Sequence, residues 1–324
     1  MSVGLIAFAL SLPLSWAAVA LILPWLRARQ ILDHPNERSS HARPTPRGGG
    51  LAITPVILLS WLALTLAGHG LPGQATLMAG ALGLLILSWR DDRASLPASL
   101  RLALQGLAVL AGLLALPAGM LLFQGVLPWW ADRLLAGLAW LWFLNLYNFM
   151  DGIDGITGIE TLCLAAGLIA LDQAVPQAAV LAAASLGFLA WNWHPAKIFL
   201  GDSGSVPLGY LLGWLLLTLA GHGHPAAALI LPAYYLADAT FTLVKRASRL
   251  EPVWQAHRQH FYQQAVQGGA SHATVSRLIL AGNILLLGAA WWSERAPWPA
   301  LAAAGATTAG LLLLLRALGR RQRS

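Results

Sequence analysis

The stretch that decides the fold reads NLYNFMDGIDG, residues 145–155, and it follows directly on an apolar run from Leu134 to Leu144. Its two amides, Asn145 and Asn148, and its two carboxylates, Asp151 and Asp154, are spaced three residues apart. An α-helix turns about 100° per residue, so each step of three falls about 60° short of a full turn. Asn145, Asn148 and Asp151 can share one face, whereas Asp154 would stand about 180° from Asn145 in a straight helix. The helix is therefore expected to unwind here, and Gly152 and Gly155 are placed to let it do so. A carboxylate at mid-bilayer costs roughly 2.5–3.5 kcal/mol. Two at the end of an apolar segment call for a water-filled cavity, a metal or a cationic partner. The bland alternative is a polar helix end with capping Asn and Asp. Capping needs one or two such residues, not four in register.

The surrounding chain has 324 residues, is 57% hydrophobic and only 10% charged, and has a mean hydropathy of +0.64. Soluble domains carry about 25% charged residues, so the composition reads as an all-α, multi-spanning membrane protein forming one domain over residues 1–324. Eleven spans are expected from apolar run length, at 3–26, 49–68, 74–89, 100–116, 132–150, 156–173, 177–193, 205–221, 225–245, 274–293 and 297–316. The stretch 117–131 is apolar but broken by Pro117, Gly119, Gly125 and Pro128, and reads as a re-entrant or hairpin loop. Residues 1–26 lack a basic leading region and a clear cleavage site, and read as a retained first span. Trp129, Trp130, Trp291, Trp292 and Trp298 sit at expected segment ends, as interfacial belts require. The single cysteine, Cys163, excludes an internal disulfide.

The net charge of +7 raises the question of nucleic acid, but the distribution of charge answers it. Of the 20 basic residues, 18 fall in one alternating set of loops and in the tail; only Arg133 and Arg295 fall in the other set. The positive-inside rule makes the first set cytoplasmic, with the N-terminus outside and the C-terminus inside. Every loop with clustered polar residues lands on that same side, while the loops near 69–73, 172–176 and 222–224 are short and nearly uncharged. The working surface is thus expected to face the cytoplasm.

Five clusters occupy that face. The first loop runs from Asp33 through Asn36, Arg38, His41 and Arg43 to Arg47 and Gly48–Gly50; glycines before a helix allow close approach to a phosphate, or the loop merely meets anionic headgroups. Asp91 and Asp92, between Arg90 and Arg93, can hold a divalent cation or accept a proton, or simply pair with those arginines. The central stretch is third. The fourth is NWHPAKIFLGDSGS, residues 192–205, where Asp202 in a glycine turn can take Mg²⁺ beside phosphate oxygens, or form an Asx-turn and cap a helix. The fifth is HRQHFYQ, residues 257–263, in which an arginine flanked by histidines suits a pyrophosphate, or lies on a surface amphipathic helix. His69, His194, His222, His224 and His272 follow no pattern and are read as bland. A thiolate nucleophile, a zinc cluster and a Ser-His-Asp set find no support.

Taken together and in order, the NLYNFMDGIDG and FLGDSGS motifs, the PTPRGGG loop (44–50), the Asp91-Asp92 pair and the HRQHFYQ loop resemble the polyprenyl-phosphate N-acetylhexosamine-1-phosphate transferases, glycosyltransferase family 4. The resemblance covers essentially the whole chain and is nearest the O-antigen-initiating branch. It implies transfer of an N-acetylhexosamine-1-phosphate from a UDP-sugar to undecaprenyl phosphate with Mg²⁺, releasing UMP, at the bacterial inner membrane. It implies catalytic roles for Asp91, Asp92, Asp151 and Asp154, with Asp91 the candidate base on the lipid phosphate. Asp202 and Asp151 become the candidate metal ligands. Arg47, Asn145, Asn148, Asn192, His257, Arg258 and His260 become the candidate substrate-binding residues. No nucleic-acid partner is implied, and a homodimer is compatible with it. A secondary transporter with intramembrane carboxylates is the rival reading, but its charged site should lie at mid-membrane rather than at cytoplasmic helix ends. A membrane scaffold would leave the carboxylates unexplained.

Overall fold

The computed structural model describes residues 2–35, 40, 43–252, 255 and 257–320. Asn36, Arg38 and His41 of the first loop lie outside the described residues, as do Arg321 and Arg323 of the tail. The elements run α1 (Val3–Ala28), β1 (Leu32–Asp33), β2 (Thr45–Pro46), α2 (Gly50–Leu66), α3 (Gln74–Ala94), α4 (Ala98–Leu114), α5 (Trp129–Phe149), α6 (Ile156–Ala170) and α7 (Val175–Asn192). They continue with α8 (Asp202–Gly221), α9 (Pro225–Ile230), α10 (Ala233–Ser248), α11 (Phe261–Gln267), α12 (His272–Trp292) and α13 (Pro297–Arg320). The chain is an all-α membrane protein. By length and hydropathy α1, α7, α8, α12 and α13 each suffice to cross a bilayer, and α2, α4 and α6 are shorter apolar helices.

Each expected span falls on a helix, with one division. The span at 225–245 is split into α9 and α10 at Pro232, because a proline has no N–H to donate and its ring crowds the preceding turn. No α-helix forms over 115–128, as the prolines and glycines there predict. Instead Asp132, in the first turn of α5, accepts hydrogen bonds from the amides of Leu122 (3.2 Å) and Phe123 (2.8 Å) and ties this loop down. Trp129 and Trp130 open α5, Trp291 and Trp292 close α12, and Trp298 lies in the first turn of α13; all five are exposed.

The centre of the bundle is α8, buried along nearly its whole length. It packs between α3 and α5. Trp140 of α5 stacks on Tyr210 of α8 at 4.8 Å and donates its indole N–H to the Tyr210 carbonyl at 2.9 Å. The outer helices keep apolar side chains exposed, such as Leu10 and Leu21 of α1, which is what a lipid-facing helix requires. Contacts among Arg47, Asp91, Asp92, Arg101 and Asp202, between Asn148 and Ser205, and between Asn192 and Gly155 gather the end of α3, the start of α4, the end of α5, the starts of α6 and α8 and the end of α7 at one end of the bundle. The other end is tied by different groups, for example Gln177, whose Nε2 donates to the His69 carbonyl at 2.7 Å.

Candidate active site

The short strands set the first residue of the site. β1 and β2 pair antiparallel, and the next residue, Arg47, forms a parallel bridge with Phe199. The amides of Gly48 and Gly49 donate to the Phe199 carbonyl at 3.2 and 2.9 Å, and that of Gly50 donates to Leu200 at 2.9 Å. The expectation that these glycines present amides to a phosphate is therefore corrected: the chain's own carbonyls take them. Glycine is needed for packing, since a Cβ at Gly50 would overlap the backbone of Ser203 and Gly204. The seam between α2 and α8 is closed backbone to backbone, and it delivers Arg47 to the start of α8.

There the Nη2 of Arg47 lies 2.7 Å from Oδ1 of Asp202 and 2.8 Å from Oδ1 of Asp92. Asp202 is the first residue of α8, set by Gly201 at φ +73°, a backbone state that glycine adopts without strain. The helix-capping alternative for Asp202 is not what its carboxylate does; it turns to Arg47.

Asp91 and Asp92 lie in the last turns of α3 rather than in a loop. Adjacent helical residues point about 100° apart, and the two carboxylates accordingly take different partners. Asp91 Oδ2 accepts from Arg101 Nη1 at 2.7 Å and Asp91 Oδ1 accepts from the Leu96 amide at 2.7 Å. The reading that the pair is neutralised by Arg90 and Arg93 is corrected: Arg101 and Arg47 do this, while Arg93 lies over the Trp89 ring.

The central stretch unwinds as expected. α5 ends at Phe149 and α6 begins after Gly155, whose φ is +80°. Gly152 has a different reason for being glycine: a Cβ there would collide with the Tyr262 hydroxyl. Asn148 Oδ1 accepts from Ser205 Oγ at 2.6 Å, and Asn145 donates to the Leu141 carbonyl at 2.8 Å. Asp151 Oδ1 accepts from Thr157 Oγ1 at 2.6 Å. Burial pushes the Asp151 carboxyl up to about 6, the Thr157 hydrogen bond opposing it. Asp154 moves the other way. Burial would raise it, but hydrogen bonds to His272 and His194, the charge of His272 and the Ala196 amide together hold it below the usual carboxylate range. Two carboxylates three residues apart are thus driven in opposite directions by their surroundings.

His194 and His272, bland in the sequence, are what hold Asp154. His194 Nδ1 is 2.6 Å and His272 Nδ1 3.2 Å from its oxygens. The three groups offer metal-ligating atoms within 4.8 Å of one another, and the hydrogen bonds among them account for the grouping. Asn192 Oδ1 accepts from the Gly155 amide and its Nδ2 donates to the Ile198 carbonyl, both at 2.9 Å, so it clamps the central turn to the loop after α7.

The fifth cluster is not a surface helix. His257, Arg258 and Gln259 lie in irregular backbone, His260 is buried, and α11 follows. The loop is organised by Asp238 of α10, which is fully buried and absent from the candidates above. Asp238 Oδ1 accepts from the Phe261 amide at 3.0 Å and lies 3.2 Å from His260 Nδ1; Oδ2 accepts from Tyr234 Oη at 3.0 Å. The signal was present, since a carboxylate inside an apolar segment marks a function by default. Tyr262 Oη donates to the Phe149 carbonyl at 3.2 Å and so joins α11 to the central turn.

From this polar end a groove of about 590 Å³ runs between α3, α4, α5, α8 and α10. Asp91, Arg101, Asn145, Asn148 and Asp202 line its polar part; the remaining lining is mostly apolar, including Leu102, Leu138 and Leu141. The site's carboxylates also fit a hard divalent cation. Oδ1 atoms of Asp92 and Asp202 converge on one cationic atom, and among the described residues Asp92 Oδ2 is buried without a hydrogen-bond partner. Oxygen donors of this type suit Mg²⁺.

Residues 74–220, which carry Asp91 through Asp202, match the family model described as glycosyl transferase family 4. The chain is 27% identical over 290 residues to a probable undecaprenyl-phosphate N-acetylglucosaminyl 1-phosphate transferase of Bacillus subtilis (strain 168), covering 83% of this chain and 79% of the relative. It is 30% identical over 317 residues to a decaprenyl-phosphate N-acetylglucosaminephosphotransferase of Mycolicibacterium smegmatis, covering 82% and 77%. It is 32% identical over 230 residues to a phospho-N-acetylmuramoyl-pentapeptide-transferase of Shouchella clausii, covering 60% and 70%.

Proposed function

Because the chain belongs to the polyprenyl-phosphate N-acetylhexosamine-1-phosphate transferases, we propose that it moves an N-acetylhexosamine-1-phosphate from a UDP-sugar to undecaprenyl phosphate and releases UMP. The observation that carries this reading is the groove: apolar along most of its wall, it ends at Asp91, Arg101, Asn148 and Asp202. A long isoprenoid chain with a phosphate head has that same division.

In the proposed reaction an oxygen of the lipid phosphate bonds to the sugar-bearing phosphorus of the donor. The bond from that phosphorus to the UMP oxygen breaks, and its electron pair leaves with UMP. Both reactants are anions. Two unit charges at 4 Å repel by about 4 kcal/mol at an effective dielectric of 20, roughly a thousandfold in rate. Mg²⁺ on Asp202, with Asp151 and Asp92 beside it, would supply positive charge between them. Asp91 faces the groove and would receive the acceptor's proton. Arg47 and the His257–His260 loop would meet the donor. The loop from Arg249 to Ala270 would choose among sugars, and the HRQHFYQ form supports the initiating step of a cell-surface glycan such as O-antigen. The 18-to-2 bias of basic residues supports a cytoplasmic site in a bacterial inner membrane, with an outside N-terminus and an inside C-terminus.

Purified protein in liposomes with undecaprenyl phosphate and Mg²⁺, given UDP-GlcNAc and a panel of other UDP-N-acetylhexosamines, should release UMP with one of them. A protein that yields neither UMP nor lipid-linked sugar with any member of the panel overturns the reading.

A further inference from the structure

We infer that Arg101, which pairs with Asp91 at 2.7 Å, is the anchor for the phosphate head of the lipid acceptor. The inference rests on the proposed transfer reaction and assigns a role to a residue of the groove that the motifs do not include. Arg101 stands in the first turn of α4, outside the five motifs. It is the one cationic side chain lining the groove among the described residues, and Asp91 and Asp202 line the same mouth. An anion entering beside Asp91 and Asp202 needs compensating positive charge, and Arg101 is the side chain of the groove wall placed to add it to that of the proposed metal.

Arg47, the nearest alternative, has its Nη2 engaged by Asp92 and Asp202 together. Among the described residues Arg101 has a single carboxylate partner, Asp91, and its side chain is 36% exposed against 10% for Asp91. A guanidinium presents five N–H groups in a fixed fork, so it can turn from a carboxylate to a phosphate and form two parallel bonds there. The exchange also solves a difficulty of the site. Asp91 has both oxygens engaged, one by Arg101 and one by the Leu96 amide. A carboxylate so held cannot serve the incoming phosphate until Arg101 lets go. The acceptor's own charge draws Arg101 away and thereby frees Asp91, so the general base becomes available only once the lipid is seated. The tail explains why this anion is the lipid and not the nucleotide: the wall beyond Arg101 is Leu102, Leu138 and Leu141.

The test uses full-length protein in nanodiscs. Binding of undecaprenyl phosphate and of undecaprenol is read by tryptophan fluorescence, and steady-state constants are measured for both substrates. Arg101→Gln should raise KM for undecaprenyl phosphate by about tenfold or more, and should abolish the preference for the phosphate over the alcohol. KM for the UDP-sugar should stay within about twofold. Arg101→Lys should fall between Gln and the parent, since a point charge keeps attraction but loses the fork. Asp91→Asn removes Arg101's competitor and should bind undecaprenyl phosphate more tightly than the parent. Unchanged lipid binding in both Arg101→Gln and Asp91→Asn overturns the inference, as does a rise confined to the KM for UDP-sugar. If the parent binds the lipid phosphate through Arg101 but releases no UMP, the proposed reaction fails while the anchor stands.

Discussion

The Nη2 of Arg47 stands 2.7 Å from Oδ1 of Asp202, across 155 positions of sequence. That one contact joins the glycine loop before α2 to the start of α8, and Asp92 completes it at 2.8 Å. Arg47→Ala would leave two carboxylates facing each other. Arg47 is 36% exposed and Asp202 22%, so solvent softens the penalty to about 1–2 kcal/mol. The double variant with Asp202→Asn should show a coupling of about 1 kcal/mol in thermal unfolding. Strict additivity would mean that the contact is not formed in the membrane.

Asp202→Asn keeps the shape of its side chain and removes its charge. Turnover should fall by at least about a hundredfold with insertion preserved and stability lowered by no more than about 1 kcal/mol. Asp91→Asn should slow turnover while leaving UDP-sugar binding intact, because its partner in the reaction is the lipid. Both variants are compared across a Mg²⁺ titration. Near-normal turnover of Asp202→Asn at low Mg²⁺ would remove Asp202 from the metal site.

Asp238 accepts hydrogen bonds from α10 and from the backbone at the start of α11, and is fully buried. Asp238→Ala strands those donors and should cost about 3 kcal/mol or more. The measurable consequences are a lower unfolding midpoint and a raised KM for UDP-sugar, the latter because the His257–His260 loop loses its support. A variant with parental stability and KM would show that the loop holds itself.

His257 gives a pH signature. Burial, with the charges of His260 and Arg246 adding to it, lowers this imidazole to about 4. The unfolded chain takes up its proton near the ordinary value of about 6.5. The contribution is therefore complete above about 6.5, declines as the pH falls toward 4, and is flat below that, because both states are then protonated. His257→Gln should flatten the unfolding midpoint between pH 6.5 and 4. Parallel pH profiles for parent and variant would refute the assignment.

The all-α membrane fold was legible in the sequence because a bilayer forces backbone polar groups to be satisfied within each segment, so an apolar run long enough to cross is itself the helix. The break at Gly155, the tryptophans at helix ends and the helix positions follow from local rules of the same kind. The identities of Asp91, Asp92, Asp151, Asp154 and Asp202 as candidates followed too, since a carboxylate near an apolar segment needs a reason. What the sequence could not supply was partnership. Asp92 lies beside Arg93 in the chain yet pairs with Arg47; Asp91 pairs with Arg101; His194 and His272, patternless in sequence, meet on Asp154. Gly48 to Gly50, which read either as allowing close approach to a phosphate or as part of a loop meeting lipid headgroups, give their amides to Phe199 and Leu200. Hydrogen bonds and ion pairs act over about 3 Å, and only the packing of α8 among its neighbours brings such distant residues within that range.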